Sequence, residues 1–378
     1  MKIDLLYELQ MPKPWQTPQS KGEYDVYWKS LFQIDLADKL GFDTVWMVEH
    51  HFREERSHCA APELFLAAVA QRTENIRLGH GVALLPHPFN HPIRVAERIA
   101  VLDILSNGRV EFGTGRSTPF EQEGFLIKKE ETREMWRESL EVIPQMWSKE
   151  RFSYKGKFFE MPERNVLPKP IQIPHPPIWM AASNDDSYPI AAELGIGTLG
   201  LTILLSVERL EERIRSYRKH LKKAKPVGAV INDKAGAYTL VMCAESKEKA
   251  REAGAYEAVG WWLTHAVLAT SAFESPEYNA KMFKDYPLLQ RYIDKKVGVD
   301  AFDNEDMVLV GTPDDLIKKI ETYEQAGVDH ILCDVDFGYL KHEDVMRSIE
   351  LIGKYVVPHF KKKGKDVSVT TPTTVLSS

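Results

Sequence analysis

The chain has few cysteines, and their spacing forms no recognisable motif. Cys59, Cys243 and Cys333 are the three present, and no two of them make a CxxC pair. An odd, widely spaced set argues against a disulfide framework and is typical of a reducing compartment.

A long apolar run and an excess of basic residues are also missing. No apolar run approaches the roughly 20 residues that a membrane-spanning helix needs. The N-terminus enters a strand directly at Lys2, without the apolar region of a signal peptide. The formal net charge of −6 provides no basic surface for nucleic acid. We therefore expect a cytoplasmic protein that binds neither membranes nor nucleic acid.

The chain does contain a repeated unit, in which a helix, a glycine and a short apolar strand follow one another. Residues 40–46 (LGFDTVW) and 326–332 (AGVDHIL) are two copies, and residues 194–200 (LGIGTLG) are a looser third. Glycine ends a helix in the left-handed conformation, and the chain then turns straight into the sheet. The unit predicts a parallel sheet covered by helices.

The strands and helices predicted from the apolar pattern alternate along the whole chain. Eight strands are predicted, at residues 2–7, 44–48, 76–84, 109–113, 178–181, 197–201, 237–243 and 330–335. Apolar residues spaced by three and four predict helices around Leu210 and Leu140, and Thr312-Pro313 predicts a helix start. Eight such units favour an α/β fold of the (β/α)₈ barrel type over an open sheet.

With 378 residues, the chain exceeds the ~250 residues of a minimal barrel. We expect a single barrel domain over residues 1–360. Its insertions are predicted at 151–177, which is rich in proline, and at 261–307, which is rich in lysine and aromatic residues. Residues 361–378 are basic and then rich in Thr, Ser and Val, which predicts a disordered tail.

Polar side chains follow the second predicted strand at its C-terminal end. The apolar run stops at Glu49, His50 and His51, and this end of a barrel strand is where active sites lie. Histidine titrates near neutral pH and can pass a proton to or from a reacting group. The alternatives are a structural histidine and a metal site, although a third ligand at metal-binding spacing is missing.

Glycines follow the third and fourth predicted strands. Gly81-Val82 indicates either a packing bulge or close approach of the backbone to a ligand. The Gly113-Thr114-Gly115-Arg116 stretch lets N–H groups approach a phosphate, and its arginine binds oxygens bidentately. The alternative for Arg116 is a salt bridge at the barrel rim, to Glu121 or Glu123. After the fifth strand, Ser183 suits either an anion site or a helix cap.

Taken in order, four motifs resemble those of the bacterial luciferase-like monooxygenases. They are EHHF at 49–52, GHGVALLP at 79–86, NGRVEFGTGR at 107–116 and IWMAAS at 178–183. The resemblance runs from residue 1 to about 360 and implies a (β/α)₈ barrel. It also implies an oxidoreductase in which a separate reductase supplies reduced FMN. The FMN reacts with O₂ to form a flavin C4a-peroxide, which oxygenates a small apolar substrate.

The resemblance also implies roles for particular residues. His50 handles the proton, with His51 and Glu49 beside it, and a cis bond between Gly81 and Val82 lies against the flavin ring. The implied cofactor residues are Gly81, Val82, Gly115, Arg116, Ala182, Ser183 and Asn184. Luciferase has a thiol where this chain has Gly115 and an acidic residue where it has Ala182, so those two contacts do not transfer. A lid over 261–307 would place Trp262 and His265 at the substrate.

Other interpretations stay open at this point. A hydride-transfer enzyme that uses the deazaflavin F420 would share the same barrel, as would a flavin-binding protein without activity. A metal-dependent hydrolase is a further alternative, but we expect no metal. Members of the family usually pair through helices near the barrel's start, so a homodimer is expected, with residues 62–72 and 91–105 as its faces.

Overall fold

Eight parallel strands form the centre of the molecule. The computed structural model describes residues 1–15, 17, 20–271 and 276–367. The central strands are β1 (Lys2–Tyr7), β2 (Thr44–Met47), β3 (Arg77–His80), β4 (Val110–Gly115), β5 (Ile178–Ala181), β6 (Gly197–Leu201), β7 (Ala235–Cys243) and β8 (His330–Asp334). They are the eight strands predicted from the apolar pattern, with ends that shift by one or two residues and a break in the third.

The sheet closes on itself. Each of the eight strands pairs in parallel with the next one. The connection from β7 to β8 is longer than the others. The ring is completed by β8 and β1, where Leu5 lies opposite Cys333. The fold is therefore the predicted (β/α)₈ barrel rather than an open sheet.

Helices cover the outside of the barrel. The α-helices are Glu23–Leu40, Pro62–Ala70, Pro92–Leu105, Pro119–Gly124, Thr132–Ser148, Ser187–Glu193, Val207–Leu221, Lys247–Glu252, Ala255–Trp262, Ala269–Ser271, Pro276–Asp285, Pro287–Ile293, Ala301–Asn304, Pro313–Gln325, His342–Leu351 and Val357–Val367. Two π-helical turns, Leu263–Leu268 and Ile352–Val356, and the short 3₁₀ helix Lys129–Glu131 complete the set. Thr312 caps its helix as predicted, with its hydroxyl accepting from the Asp315 N–H at 3.3 Å.

The glycine predicted to end the first helix does so. Gly41 follows Glu23–Leu40 with φ of 82°, a left-handed conformation that favours glycine, and its N–H bonds to the Asp38 carbonyl at 3.1 Å. Asp38 also accepts the N–H groups of Asn75 and Ile76 at 2.9 and 2.7 Å, just before β3. One carboxylate thus joins the end of a helix to the start of the third strand.

The barrel interior is packed with large side chains that are held by buried carboxylates. Trp46 and Trp179 meet edge to face at 5.4 Å between ring centroids. The fully buried Asp4 accepts from Trp46 Nε1 at 2.8 Å and lies 2.8 Å from His330 Nδ1. Glu111 accepts from Trp179 Nε1 at 2.7 Å. The interior is therefore a packed core in which both indole N–H groups have a carboxylate acceptor. The open space lies towards the C-terminal ends of the strands.

Some segments differ from the predictions. The third predicted strand divides into β3 and the two-residue strand Ala83–Leu84, which pairs with β4. The short strand Leu309–Gly311, which pairs with the end of β7, was not predicted. Within 151–177, Phe152–Lys155 and Glu160–Arg164 form an antiparallel hairpin, and the described part of 261–307 is mainly helical.

The C-terminal part of the chain is only partly described. The helix Val357–Val367 extends into the segment for which disorder is predicted. Residues 368–378 of that segment lie outside the described residues. No helix in the described part of the chain combines the length and the apolar composition needed to cross a membrane.

The carboxylate of Asp4 offers a test of the packed interior. We expect Asp4→Ala to lower the free energy of unfolding by about 2–4 kcal/mol, because two buried ring N–H groups lose their acceptor. Urea unfolding followed by circular dichroism measures it. The control Glu163→Ala removes a carboxylate from an exposed pair with Arg151 and should leave the midpoint unchanged. Equal midpoints for both variants would contradict this account of the core.

Candidate functional site

A divided cavity lies at the C-terminal ends of the strands. Its first part, the axial compartment of about 220 Å³, is lined by residues of β1, β6, β7 and β8 and by Trp262. Its second part, the rim compartment of about 310 Å³, is lined by the residues that follow β4 and β5. His50, Arg56 and Val82 line both compartments.

His50 is held by a carboxylate that lies on another element. It follows β2, and its Nδ1 lies 2.8 Å from Oε1 of Glu121, in the first turn of the helix Pro119–Gly124. Because Nδ1 is engaged there, Nε2 is the ring nitrogen left for a ligand in the cavity. The contact with Glu121 therefore fixes the orientation of the ring, and the role of His50 in proton transfer stays a prediction.

Glu121 is a fully buried side chain with several donors around it. It accepts from Ser117 Oγ and Thr118 Oγ1, both at 2.7 Å, and from the His51 N–H at 2.9 Å. Burial alone would raise the pKa of Glu121, but the charge of His50 and these hydrogen bonds outweigh it and hold the pKa well below its ordinary value. A negative charge is therefore fixed next to His50.

Glu49 and His51 support the site from behind. Glu49 is buried and accepts from the Leu84 N–H and from Asn90 Nδ2, both at 2.8 Å, so it fixes the chain just after β3. His51 Nε2 lies 3.3 Å from Glu49, and its ring packs edge-on against Phe125. Glu49 lines the rim compartment, whereas His51 is not among the described residues that line either compartment.

The glycine-rich stretches form one wall between the compartments. The Gly81-Val82 peptide bond is cis, as the resemblance implies for this position, and both residues line both compartments. A Cβ atom on Gly115 would lie 2.4 Å from Val82 Cγ2, so only glycine allows β4 to approach that wall this closely. The wall presents mainly backbone and one branched apolar side chain to the cavity.

Arg116 projects a cation into the rim compartment. Its single side-chain hydrogen bond to a described residue is the 3.4 Å contact with Thr132 Oγ1, and it forms no ion pair with the described part of the chain. The predicted alternative, a salt bridge to Glu121 or Glu123, is not what the structure contains, because Glu121 faces His50 instead. Burial, and then the neighbouring Arg133, lower the pKa of Arg116. An anion in this compartment would remove that repulsion.

Of the residues after β5, some line the cavity and one caps the start of a helix. Ser183 lines both compartments, and Ala182 lines the axial one. Asn184 lies outside both linings, and its Oδ1 accepts from the N–H and the hydroxyl of Ser187 at 3.1 and 2.9 Å. Asn184 therefore shapes the start of the helix Ser187–Glu193 rather than the cavity wall.

The two residues predicted at the substrate end lie on different sides of their helix. Trp262 lines the axial compartment, and its indole N–H is directed at the Glu8 carboxylate, whose pKa it helps to lower. His265 stacks on Trp261 at 4.4 Å between centroids, and its Nε2 lies 3.6 Å from Glu55. His265 is absent from the described lining of both compartments.

Sequence reasoning did not single out an ion pair in the axial compartment. Glu8, just after β1, is buried and accepts from Arg56 Nη2 at 2.9 Å. Burial raises the pKa of Glu8, but Arg56 reverses the effect and the net pKa is lowered. The rule that pointed to Glu49, a polar residue directly after a strand, also applies to Glu8 and would have found it. Arg56 gives no such signal, because it is one of several charges in a surface loop sequence.

Metal-binding side chains do not cluster in the part of the chain that the structure describes. No group of three or more His, Cys, Asp or Glu residues there converges as a metal site would. The compartments instead offer a cation, a histidine–carboxylate pair and apolar walls.

The chain matches the model of a known protein family. The model of the luciferase-like monooxygenase family matches residues 14–330. The chain belongs to that family.

Relatives that include monooxygenases match the chain over nearly its whole length. The oxygenase component of the flavin-dependent trigonelline monooxygenase of Acinetobacter baylyi is 25% identical, over 97% of each chain. The crystal structure of monooxygenase RslO1 from Streptomyces bottropensis is 28% identical, with a TM-score of 0.77, over 95% of this chain and 100% of that one. The oxygenating constituent of 3,6-diketocamphane monooxygenase of Pseudomonas putida, solved with FMN, shares the fold at 22% identity and a TM-score of 0.74, over 95% and 98%.

Glu121 offers a test of the site's electrostatics. We expect Glu121→Gln to lower the free energy of unfolding by about 1–3 kcal/mol at pH 7, because several buried donors lose a charged acceptor. The pKa of this carboxyl is lowered on folding, so its stabilisation is complete above the ordinary value of 4.5 and is lost as the pH falls below it. The gap between wild type and variant should therefore shrink in acid, as urea unfolding at several pH values measures.

Glu123→Gln is the matched control for this experiment, because Glu123 lies on the same helix but is exposed. It should leave stability unchanged at every pH. A Glu121→Gln variant as stable as wild type at pH 7 would contradict the assigned role of the buried carboxylate.

Proposed function

We propose that the chain is a flavin-dependent monooxygenase that uses reduced FMN and O₂ to oxygenate a small apolar substrate. In this proposal, a separate flavin reductase supplies the reduced FMN in a transient encounter. The observation that carries the proposal is the Arg116 guanidinium, which is without an ion pair among the described residues and lies in a compartment that opens onto His50.

The residues of the rim compartment fit FMN. Arg116 and Ser183 would hold the phosphate, since a guanidinium binds phosphate oxygens bidentately and a hydroxyl adds a further donor. Gly81, Val82 and Gly115 would support the flavin ring, because a wall of backbone and one small apolar side chain admits a flat aromatic system. Ala182 lies beside them, and Asn184 acts indirectly through the helix cap.

Each part of the site has a role in the proposed reaction. Bound FMN supplies the redox chemistry with O₂, which protein side chains cannot perform. His50 holds or passes a proton at Nε2, and Glu121 fixes the orientation of its ring. Glu49 keeps the chain after β3 in place. Trp262 and the leucines of the axial compartment would exclude water from the place where bound FMN reacts.

The family resemblance leaves deazaflavin F420 as the second cofactor that this barrel could hold, with hydride transfer as its chemistry. We favour FMN because the phosphate ligands lie in a compartment of limited size next to the histidine. A flavin-binding protein without activity would not need the His50–Glu121 pair.

We also propose a homodimer. The helices Pro62–Ala70 and Pro92–Leu105 pack side by side, and they leave the large apolar side chains Leu64, Val101, Ile104 and Leu105 exposed. An apolar patch that spans two neighbouring helices is typical of a protein interface. A second copy of the chain would cover it across a two-fold axis.

Arg116 tests the cofactor proposal. We expect Arg116→Ala to weaken the binding of reduced FMN about 10- to 100-fold, because a charge-assisted contact with the phosphate is lost. Anaerobic isothermal titration calorimetry measures the dissociation constants. The control Arg133→Ala removes a neighbouring exposed cation that lines neither compartment and should have little effect. Equal affinities for wild type and Arg116→Ala would remove Arg116 from the site.

Ile104 tests the dimer. A buried carboxylate in an apolar interface is strongly unfavourable, so we expect Ile104→Glu to convert the dimer to a monomer in sedimentation velocity. Ile173→Glu makes the same change at a residue that is 94% exposed and lies outside the two helices, and should leave the dimer intact. A monomeric wild type at tens of micromolar, or a dimeric Ile104→Glu variant, would contradict the proposal.

A further inference from the structure

The walls of the axial compartment are apolar. Three of its strands contribute leucines, and Val48, Val82 and Trp262 close its sides; the leucines are Leu6 of β1, Leu199 and Leu201 of β6, and Leu332 of β8. A ligand that fills this space therefore buries mostly hydrocarbon, and burial of apolar surface drives its binding.

Few side chains in that lining carry or acquire charge. Among the described lining residues they are Glu8, His50, Arg56 and Tyr238. Tyr238 donates its hydroxyl hydrogen to Asp334 at 3.0 Å, and burial followed by the nearby carboxylates raises its pKa, so it stays neutral. His50 is paired with Glu121. The remaining charges are Glu8 and Arg56.

Glu8 and Arg56 neutralise each other. Arg56 Nη2 donates to Glu8 Oε1 at 2.9 Å and Arg56 Nε to Oε2 at 3.4 Å, and both side chains are largely withdrawn from solvent. An ionic ligand would therefore lose its hydration here without meeting an opposite charge, which is unfavourable. We therefore expect the axial compartment to bind both anions and cations weakly.

Arg56 nevertheless has hydrogen-bond donors to spare. A guanidinium carries five N–H groups, and the described contacts of Arg56 are the two with Glu8 and one of 3.5 Å to the Ala266 carbonyl. Arg56 lines both compartments, as His50 does. A ligand atom that accepts from Arg56 would be placed beside His50.

We propose that the axial compartment selects an uncharged, mainly apolar substrate with one hydrogen-bond acceptor, such as a carbonyl oxygen. Arg56 holds that oxygen at the junction of the compartments, and Glu8 keeps the arginine neutralised so that anions are rejected. Arg56 is thus a specificity residue and Glu8 its positioning partner. This inference rests on the proposed function, since it assigns the substrate end of the same site.

A matched set of probes with eleven or twelve non-hydrogen atoms tests the proposal without a known substrate. The probes are decan-2-one, undecane, decanoate and decylammonium. Calorimetric titration of the full chain saturated with FMN measures their dissociation constants, so that Arg116 in the rim compartment is already occupied by the phosphate. We expect decan-2-one to bind about tenfold more tightly than undecane, since it gains one charge-assisted hydrogen bond. The two ions should bind at least about tenfold more weakly than the ketone.

Glu8→Gln provides a gain of function. The substitution keeps the shape and an oxygen that accepts from Arg56 but leaves the guanidinium uncompensated, so decanoate should bind at least about tenfold more tightly than it does to wild type. The preference for the ketone over decanoate should then reverse or vanish. Glu54→Gln, in the same loop as Arg56 but exposed and paired with Lys13, is the control and should leave all four affinities unchanged.

Several results would overturn the proposal. They are undecane binding as tightly as the ketone, an ion binding most tightly to wild type, no measurable binding of the ketone, or a Glu8→Gln variant with an unchanged ratio of ketone to decanoate affinity. Titration of the same proteins with reduced FMN distinguishes this failure from failure of the proposed function. Normal FMN binding with the wrong probe preference rejects only the substrate assignment.

Discussion

The contact between His50 and the buried Glu121 is the interaction on which the site depends. It joins the end of β2 to the helix that follows β4, and the same carboxylate accepts from the loop that leads into that helix. One buried charge thus fixes the histidine, the turn that carries Arg116 and the entrance to the rim compartment. Because the carboxylate is surrounded by donors, its negative charge is stable in an interior that would otherwise protonate it.

The two compartments have opposite chemical characters, and this contrast follows from their place on the barrel. The rim compartment is formed by loops, where glycines, a hydroxyl and Arg116 offer donors to an anion. The axial compartment is formed by strand ends, whose inward side chains are leucines packed above the two tryptophans of the core. A polar cofactor and an apolar substrate would therefore occupy neighbouring spaces, with His50 and Arg56 at the junction where both are reached.

Much of the fold could be predicted from the sequence, because apolar runs, helix-ending glycines and proline-started helices are local signals. The strand Leu309–Gly311 was not predicted, because three residues are too few to show a periodicity and its pairing with β7 is a tertiary contact. The hairpin within 151–177 was not predicted, because most residues of its two strands are exposed and the strands lack an alternating apolar pattern.

The lining of the cavity was predictable where a residue lies within three positions of a strand end, as Glu49, His50, Arg116 and Ser183 do. Pairings between distant segments were not, and Glu121 was considered as a partner of Arg116 rather than of His50. A single sequence also cannot tell which side of a helix faces the cavity. Trp262 and His265 were both predicted to line it, and only Trp262 does. Arg56 lacked any local signal, since its role arises only from the approach of Glu8.

Reduced FMN and reduced F420 should be titrated side by side into the full-length protein under anaerobic conditions. The account predicts that reduced FMN binds with a micromolar or lower dissociation constant and that an excess of reduced F420 does not displace it. Absence of FMN binding, or displacement of FMN by the deazaflavin, would contradict the central claim that the compartment beside His50 and Glu121 is a reduced-FMN site.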